Sequence, residues 1–278
     1  MHERRCHALH CCLSAAIVNP AKILIAAFAL ILSACGGDIA EDGNTERDSS
    51  KTKVILIGAI HQGHVGSKRY GLDVLKRAIR KAKPDQIFTE IPPDRLDAAI
   101  EDFHKSGKVT EPRVDDFPEY RDMLFPLTRE MDFEIVPVAA WSREMADSRA
   151  EALEQIQHDP ARAAQWAEYR AAHKAFDEAL SGRGDDPAFI HSGAYDALVR
   201  KAQTPYQQYF DEDLGPGGWT QINAAHYALI GAALDKTSGQ GRTVVIIFGA
   251  WHKYMFLKEL RKRGDIELVD PVPLLTGG

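Results

Sequence analysis

Apolar positions along the chain follow two alternating rhythms. Val54-Ile55-Leu56-Ile57 is an unbroken, mostly β-branched run ended by Gly58, the pattern of a strand covered on both faces. Leu72, Val74, Leu75, Ala78, Ile79 and Ala82 then recur at helical spacing, with Lys76, Arg77, Arg80 and Lys81 on the opposite side. Pro84-Asp85 breaks that helix, Gln86 to Thr89 predicts a second strand, and Pro92-Pro93 stops it. Strand, helix and strand in such close succession predict parallel pairing through a right-handed crossover. Further on, Glu119 to Met131 predicts a helix and Phe133 to Val138 a third strand. Val244 to Phe248 predicts a fourth strand, Met255 to Arg263 a helix and Ile266 to Val269 a last strand. Between Met145 and Lys236, Ala, Gln, Glu and Arg dominate and β-branched runs are nearly absent. Several helices are expected there, broken around Pro160, Ser181 to Pro187 and Gly215 to Gly218. The expectation is one α/β domain over residues 53–278, with a central, mostly parallel sheet flanked by helices and a large helical insertion at about 145–236.

The first fifty residues have a different rhythm. Arg4, Arg5 and Lys22 precede an apolar run from Ile23 to Leu32, followed by Ser33, Ala34 and Cys35. A charged segment, a short apolar segment and small residues are the layout of a secretory signal, and the run is too short for an ordinary transmembrane helix. Leu32-Ser33-Ala34-Cys35 resembles a bacterial lipoprotein lipobox. That resemblance implies a signal peptide over residues 1–34 and a lipid on Cys35, which becomes the new N-terminus. Residues 35–52 then form a lipidated Cys and a flexible tether, Gly/Asp/Glu/Asn/Ser-rich, reaching on the order of 23 Å. The expected product is exported and membrane-anchored through Cys35, facing the periplasm or the cell exterior. Gly rather than Asp at position 36 leans towards the outer membrane.

Composition narrows the function classes. The chain has 278 residues, a formal charge of −6 and 45% apolar residues, which argues against disorder and a polytopic membrane protein. The mild acidity argues against a nucleic-acid partner. All four cysteines fall within the first 35 residues, so the domain has no cysteine for a disulfide, a zinc site or a nucleophile.

The chemistry is concentrated in a repeated peptide. Ile55-Leu56-Ile57-Gly58-Ala59-Ile60-His61 and Ile246-Ile247-Phe248-Gly249-Ala250-Trp251-His252 are both an apolar strand followed by Gly-Ala-x-His, and both precede an amphipathic helix. Each glycine is expected to let the backbone turn sharply at the strand end. Each histidine is then carried over the carboxyl edge of the sheet, where open α/β sheets bind ligands. Glu90 follows the second strand at the same edge. An isolated histidine after a strand is more often a plain loop residue; repetition of the whole unit is what singles out this pair. Two imidazoles and a carboxylate suit a divalent metal such as zinc, manganese, cobalt or iron. The same three also serve without metal, with Glu90 orienting His61 as a general base towards water.

Gly58-Ala59-Ile60-His61, Pro84-Asp85 leading to Glu90 and then Arg95, and the late Gly249-Ala250-Trp251-His252 together resemble the TraB/Tiki superfamily. That group includes GumN-like and PrgY proteins and is related to ChaN-like haem-binding lipoproteins and erythromycin-esterase-like enzymes. The match covers roughly residues 53–96 and 243–270 and leaves the insertion unassigned. The resemblance implies a Tiki/erythromycin-esterase-like α/β fold and a metal-dependent peptidase or an esterase acting on a peptide or small-molecule substrate. His61, Glu90 and His252 would form the site and hold the metal, with Glu90, His61 and Arg95 as the catalytic set. Arg95 would bind substrate charge, orient Glu90 or stabilise an oxyanion; its alternative is a surface helix cation. Asn223 and His226, at helical spacing, would supply a polar motif before the last strands, with a structural His226 as the other reading. The relation to ChaN also leaves open a haem- or other ligand-binding lipoprotein, and some relatives are regarded as catalytically silent sequestering proteins.

His64 and Arg143 are secondary candidates at the same rim. Ser142 is not marked as a nucleophile, since Gly-x-Ser-x-Gly is absent. Trp166, Tyr169, His173 and Phe176 form a stripe that reads as core packing, although a Tyr/His pair could meet a haem.

Overall fold

The computed structural model describes residues 50–277. The signal segment, Cys35 and nearly all of the tether lie outside them. Among the described residues no helix is long and apolar enough to cross a membrane.

The chain runs through β1 (Thr52–Ala59), a 3-10 turn at His61–His64, α1 (Leu72–Ala82) and β2 (Gln86–Thr89). These two strands are parallel but do not pair as expected, because the late strand at Thr243–Gly249 inserts between them. Two helices, α2 (Leu96–Ser106) and α3 (Pro112–Asp115), precede a π-helical turn at Glu119–Leu124, which runs into α4 (Phe125–Leu127) and then β3 (Glu134–Pro137). The insertion comprises α5 (Arg143–His158), α6 (Ala163–Leu180), α7 (Pro187–Ile190), α8 (Gly193–Tyr209) and α9 (Trp219–Asp235). The chain closes with β4 (Thr243–Gly249), α10 (Lys253–Leu260), β5 (Ile266–Val269) and α11 (Val272–Thr276).

All five strands are parallel, in the order β3-β2-β4-β1-β5. Alternation along β1 and β4 divides the core in two. Ile55, Ile57, Val245 and Ile247 pack with Val74, Leu75, Ala78 and Ile79 of α1. Val54, Leu56, Val244, Ile246 and Phe248 pack with Ile230 and Leu234 of α9 and with Phe256 and Leu260 of α10. Burying each such side chain contributes roughly 1.5–3 kcal/mol, so the two central strands anchor the rim above them.

The helix expected over Glu119 to Met131 takes another form. It starts as a π-turn after Pro118 and continues only as far as Leu127. Pro126 has no N–H to give to the turn before it, and the wide turn accommodates the missing bond.

Candidate functional site

The register between the central strands aligns the two repeated peptides. Gly58 lies opposite Phe248 and Ala59 opposite Gly249, and the Ala250 N–H donates to the Ala59 carbonyl at 2.9 Å. Neither glycine has a positive φ, so the expected sharp turn is not their role. They permit close approach instead. A Cβ on Gly58 would stand 3.0 Å from the Ala250 backbone. A Cβ on Gly249 would stand 2.8 Å from His61 Nε2 and 3.2 Å from Glu90 Oε2. The left-handed residue is His61 itself, at φ 48, a conformation uncommon outside glycine and one that clusters at functional sites.

His61, Glu90 and His252 converge. His61 Nε2 lies 3.9 Å from Glu90 Oε2, and His252 Nε2 lies 3.9 Å from Glu90 Oε1. Those separations are too long for hydrogen bonds and leave space between the donor atoms. Glu90 is fixed from behind: Oε2 accepts the Gly249 N–H at 2.8 Å, and the Glu90 N–H donates to the Tyr120 hydroxyl, which donates to the Ile247 carbonyl.

The outer nitrogen of each histidine has its own partner. His61 Nδ1 meets Glu119 Oε1 at 2.6 Å. The carboxylate accepts, so Nδ1 carries the proton and Nε2 presents its lone pair inwards when the ring is neutral. His252 Nδ1 meets Asn223 Oδ1 at 2.8 Å. The Asn223 amide is oriented by its own donation to the Trp219 carbonyl at 2.7 Å, so its oxygen accepts and His252 Nε2 is likewise bare. Trp219 stacks on the His252 ring, 4.7 Å between centroids at 24°.

These partners give the two histidines opposite charge. Burial alone would lower the His61 pKa, but the Glu119 carboxylate, with a smaller contribution from Glu90, outweighs it and raises the pKa to about 9. Burial, reinforced by the positive charges of His61 and Arg149, lowers His252 to about 3. Burial raises Glu90 against the opposing pull of His61 and the Gly249 N–H. Burial would raise Glu119 too, but the charge and hydrogen bond of His61 hold it below the ordinary carboxylate range.

The remaining candidates divide. Asn223 is at the site and orients His252. His226 is fully buried; its Nδ1 accepts the Ala140 N–H at 2.8 Å, and its ring meets His252 edge-on at 5.3 Å. Its Nε2 has no hydrogen-bond partner. His64 is structural: Nε2 accepts the Ile60 N–H at 3.0 Å and Nδ1 binds the Tyr70 carbonyl at 2.6 Å, which ties the loop back to the strand end. Arg95 is turned to Asp94 at 3.1 Å and Glu111 at 3.9 Å rather than to Glu90, because it sits at the start of α2 with its side chain against the capping residue of α3. Arg143, with 83% of its side chain exposed, pairs with Asp147. Ser142 caps α5, accepting the Met145 N–H. Tyr169 and His173, the pair offered for a haem, pack on each other at 4.4 Å, Tyr169 against Phe210 and the half-buried His173 against Trp251.

Three groups escape the sequence reading: Glu119, Trp219 and Trp141, whose indole favours the Glu90 carboxylate. The segment carrying Glu119 reads as an ordinary amphipathic helix, and only the fold brings it to His61.

The donor set fits a divalent ion in chemistry: the Nε2 atom of His252, that of His61 once an ion displaces its proton, and a carboxylate face one gap, and both imidazoles have an outer partner. Among the described residues no three His, Asp or Glu side chains are closed up into a coordination shell. The set is open, with Glu90 between the two rings. Compared with known proteins, the chain matches no family model, no curated protein and no solved structure.

Proposed function

We propose that the chain is a membrane-tethered hydrolase of the TraB/Tiki kind, cleaving a peptide or ester bond at the rim formed by His61, Glu90 and His252. One observation carries this reading: the repeated Gly-Ala-x-His ends bring both Nε2 atoms to opposite oxygens of one buried carboxylate. The tether through Cys35 would hold the domain at an exported membrane face, the outer membrane where the host has two.

His61, Glu90 and His252 would hold a divalent ion such as Mn, Co, Zn or Fe, and that ion would supply Lewis acidity to the scissile carbonyl and to water. The residues do the rest. Glu119 and Asn223 keep the Nδ1 protons of the two histidines in place, and the bare Cα of Gly249 leaves the gap open. Glu90, with its affinity for protons raised by burial, takes the proton of the attacking water and delivers it to the leaving group. Trp219 shields the His252 side from solvent.

The test is turnover of a panel of chromogenic esters and peptides by the purified chain, with Mn, Co, Zn or Fe added in turn. Hydrolysis is expected with at least one ion, with a loss of 100-fold or more in Glu90→Gln. No turnover under any of these conditions, or equal turnover in Glu90→Gln, argues against a hydrolase.

A further inference from the structure

Glu119 is a fully buried carboxylate with an unusual set of contacts. One oxygen bonds His61 Nδ1 at 2.6 Å. The other, Oε2, is buried and has no hydrogen-bond partner. Buried carboxylates that serve the fold are normally hydrogen-bonded to the backbone, as Glu111 is when its Oε2 accepts two backbone N–H groups and caps α3. Leaving one oxygen of a buried charge unbonded is costly, and among the described residues the side-chain hydrogen bond that Glu119 accepts comes from a histidine at the rim.

The surrounding geometry has the same focus. His61 is held in the left-handed region at φ 48, which few residues other than glycine adopt. Three contacts fasten it to the segment before and within the π-turn. The Phe117 ring lies 4.8 Å from the imidazole, Nε2 of the adjoining Gln62 donates to the Asp116 carbonyl at 3.1 Å, and Glu119 Oε1 accepts the hydrogen bond of the ring Nδ1–H. The π-turn begins at Glu119, and such wide turns are rare and frequent at functional sites. The His61–Glu119 bond is the shortest of the three, and its charge makes it the strongest.

From this juxtaposition we infer that Glu119 is a positioning residue of the active site, and that the π-turn segment serves as the support that aims His61 Nε2 at Glu90. This rests on the hydrolase reading for its consequence in catalysis, but not for its structural content. Glu119 touches neither substrate nor the reacting atoms; it fixes which nitrogen of His61 faces the gap and where.

The experiment uses Glu119→Gln, which preserves size and removes the charge, and Glu119→Asp, which keeps the charge and shortens the reach. Two readouts are taken on the full chain. Nitrogen-15 NMR of the histidine rings should show a slowly exchanging, hydrogen-bonded Nδ1 proton on His61 in the native protein, exchanging at least 10-fold faster in Glu119→Gln, whose neutral amide oxygen is a weaker acceptor, and in Glu119→Asp. Equilibrium titration with zinc should show an affinity 10- to 100-fold weaker in Glu119→Gln. A native protein without that ring proton, or a Glu119→Gln variant in which it exchanges as slowly as in the native protein, overturns the inference. Unchanged zinc affinity alongside the faster exchange also overturns it. If the native chain binds no zinc, the metal branch of the hydrolase reading fails, and the ring proton alone decides the role of Glu119. If Glu119→Gln does not fold, the same two readouts on Glu119→Asp decide it.

Discussion

The two Gly-Ala-x-His strand ends are the same peptide placed side by side, and they do not behave alike. At the end of β1, His61 adopts a left-handed conformation, leaves 34% of its side chain exposed and leans on a carboxylate. At the end of β4, His252 begins a helix at φ −76, is 10% exposed and leans on an amide. The Glu119 carboxylate outweighs burial and raises the His61 pKa to about 9; burial, with the charges of His61 and Arg149, lowers that of His252 to about 3. Local sequence delivers each ring to the rim, and remote neighbours decide its charge. The same peptide thus presents one ring backed by a carboxylate and one backed by a neutral amide to a single carboxylate.

The glycines sharpen that contrast most strongly. Gly249→Ala puts a methyl group where His61 Nε2 and Glu90 Oε2 meet, so turnover should fall by 100-fold or more in an ester or peptide assay while the fold persists. Gly58→Ala meets the Ala250 backbone instead, so its main cost should be stability, about 1–3 kcal/mol by denaturant unfolding. Equal effects of the two substitutions on turnover would erase the distinction between the strand ends.

The next test makes the two ends alike. Asn223→Asp gives His252 a carboxylate partner, and NMR titration should show its pKa rising from about 3 by more than one unit. A His252 pKa that stays near 3 in that variant would mean that burial, and not the choice of partner, separates the rings.

A smaller effect belongs to the β1 side alone. His191 Nε2 accepts the Gly58 N–H at 2.9 Å, and burial lowers the His191 pKa to about 4. The folded value lies below the unfolded value near 6.5, so the unfolded chain binds the extra proton first. The stability this contact contributes is complete above pH 6.5 and is lost as the pH falls towards 4. Unfolding measured from pH 7 to pH 4 should show that slope, and His191→Gln should flatten it. The smallest expected effect is at Arg95 and Arg143. Alanine at either position should change turnover by less than twofold, since both pair with surface acids.

The sheet was legible because its strands are runs of β-branched residues buried on both faces, and the repeated peptide marked their carboxyl ends. The helices of the insertion were legible from composition and breakers: α5 ends before Pro160, and α6 ends at Leu180 just before Ser181. The core of the site, His61, Glu90 and His252, was legible for the same reason as the strands, since a parallel sheet brings every strand end to one edge. Its supports were not. Glu119 is 58 positions from His61, and the wide turn that aims it depends on Pro126 and on packing under α1. Asn223 was visible as a polar residue on a helix, but nothing local says that Trp219 orients its amide. Arg95 shows the opposite error: its spacing from Glu90 suggested a shared site, while the two consecutive prolines and the start of α2 send its side chain towards Glu111.

The central claim is that both strand ends build one site. Titration of the purified chain with cobalt(II), followed by visible absorption, tests it most directly, with His61→Ala and His252→Ala measured alongside. One ion bound per native chain, with the signal lost in each single variant, is the predicted result. A native chain that gives no signal, or a signal that survives either substitution unchanged, would contradict it.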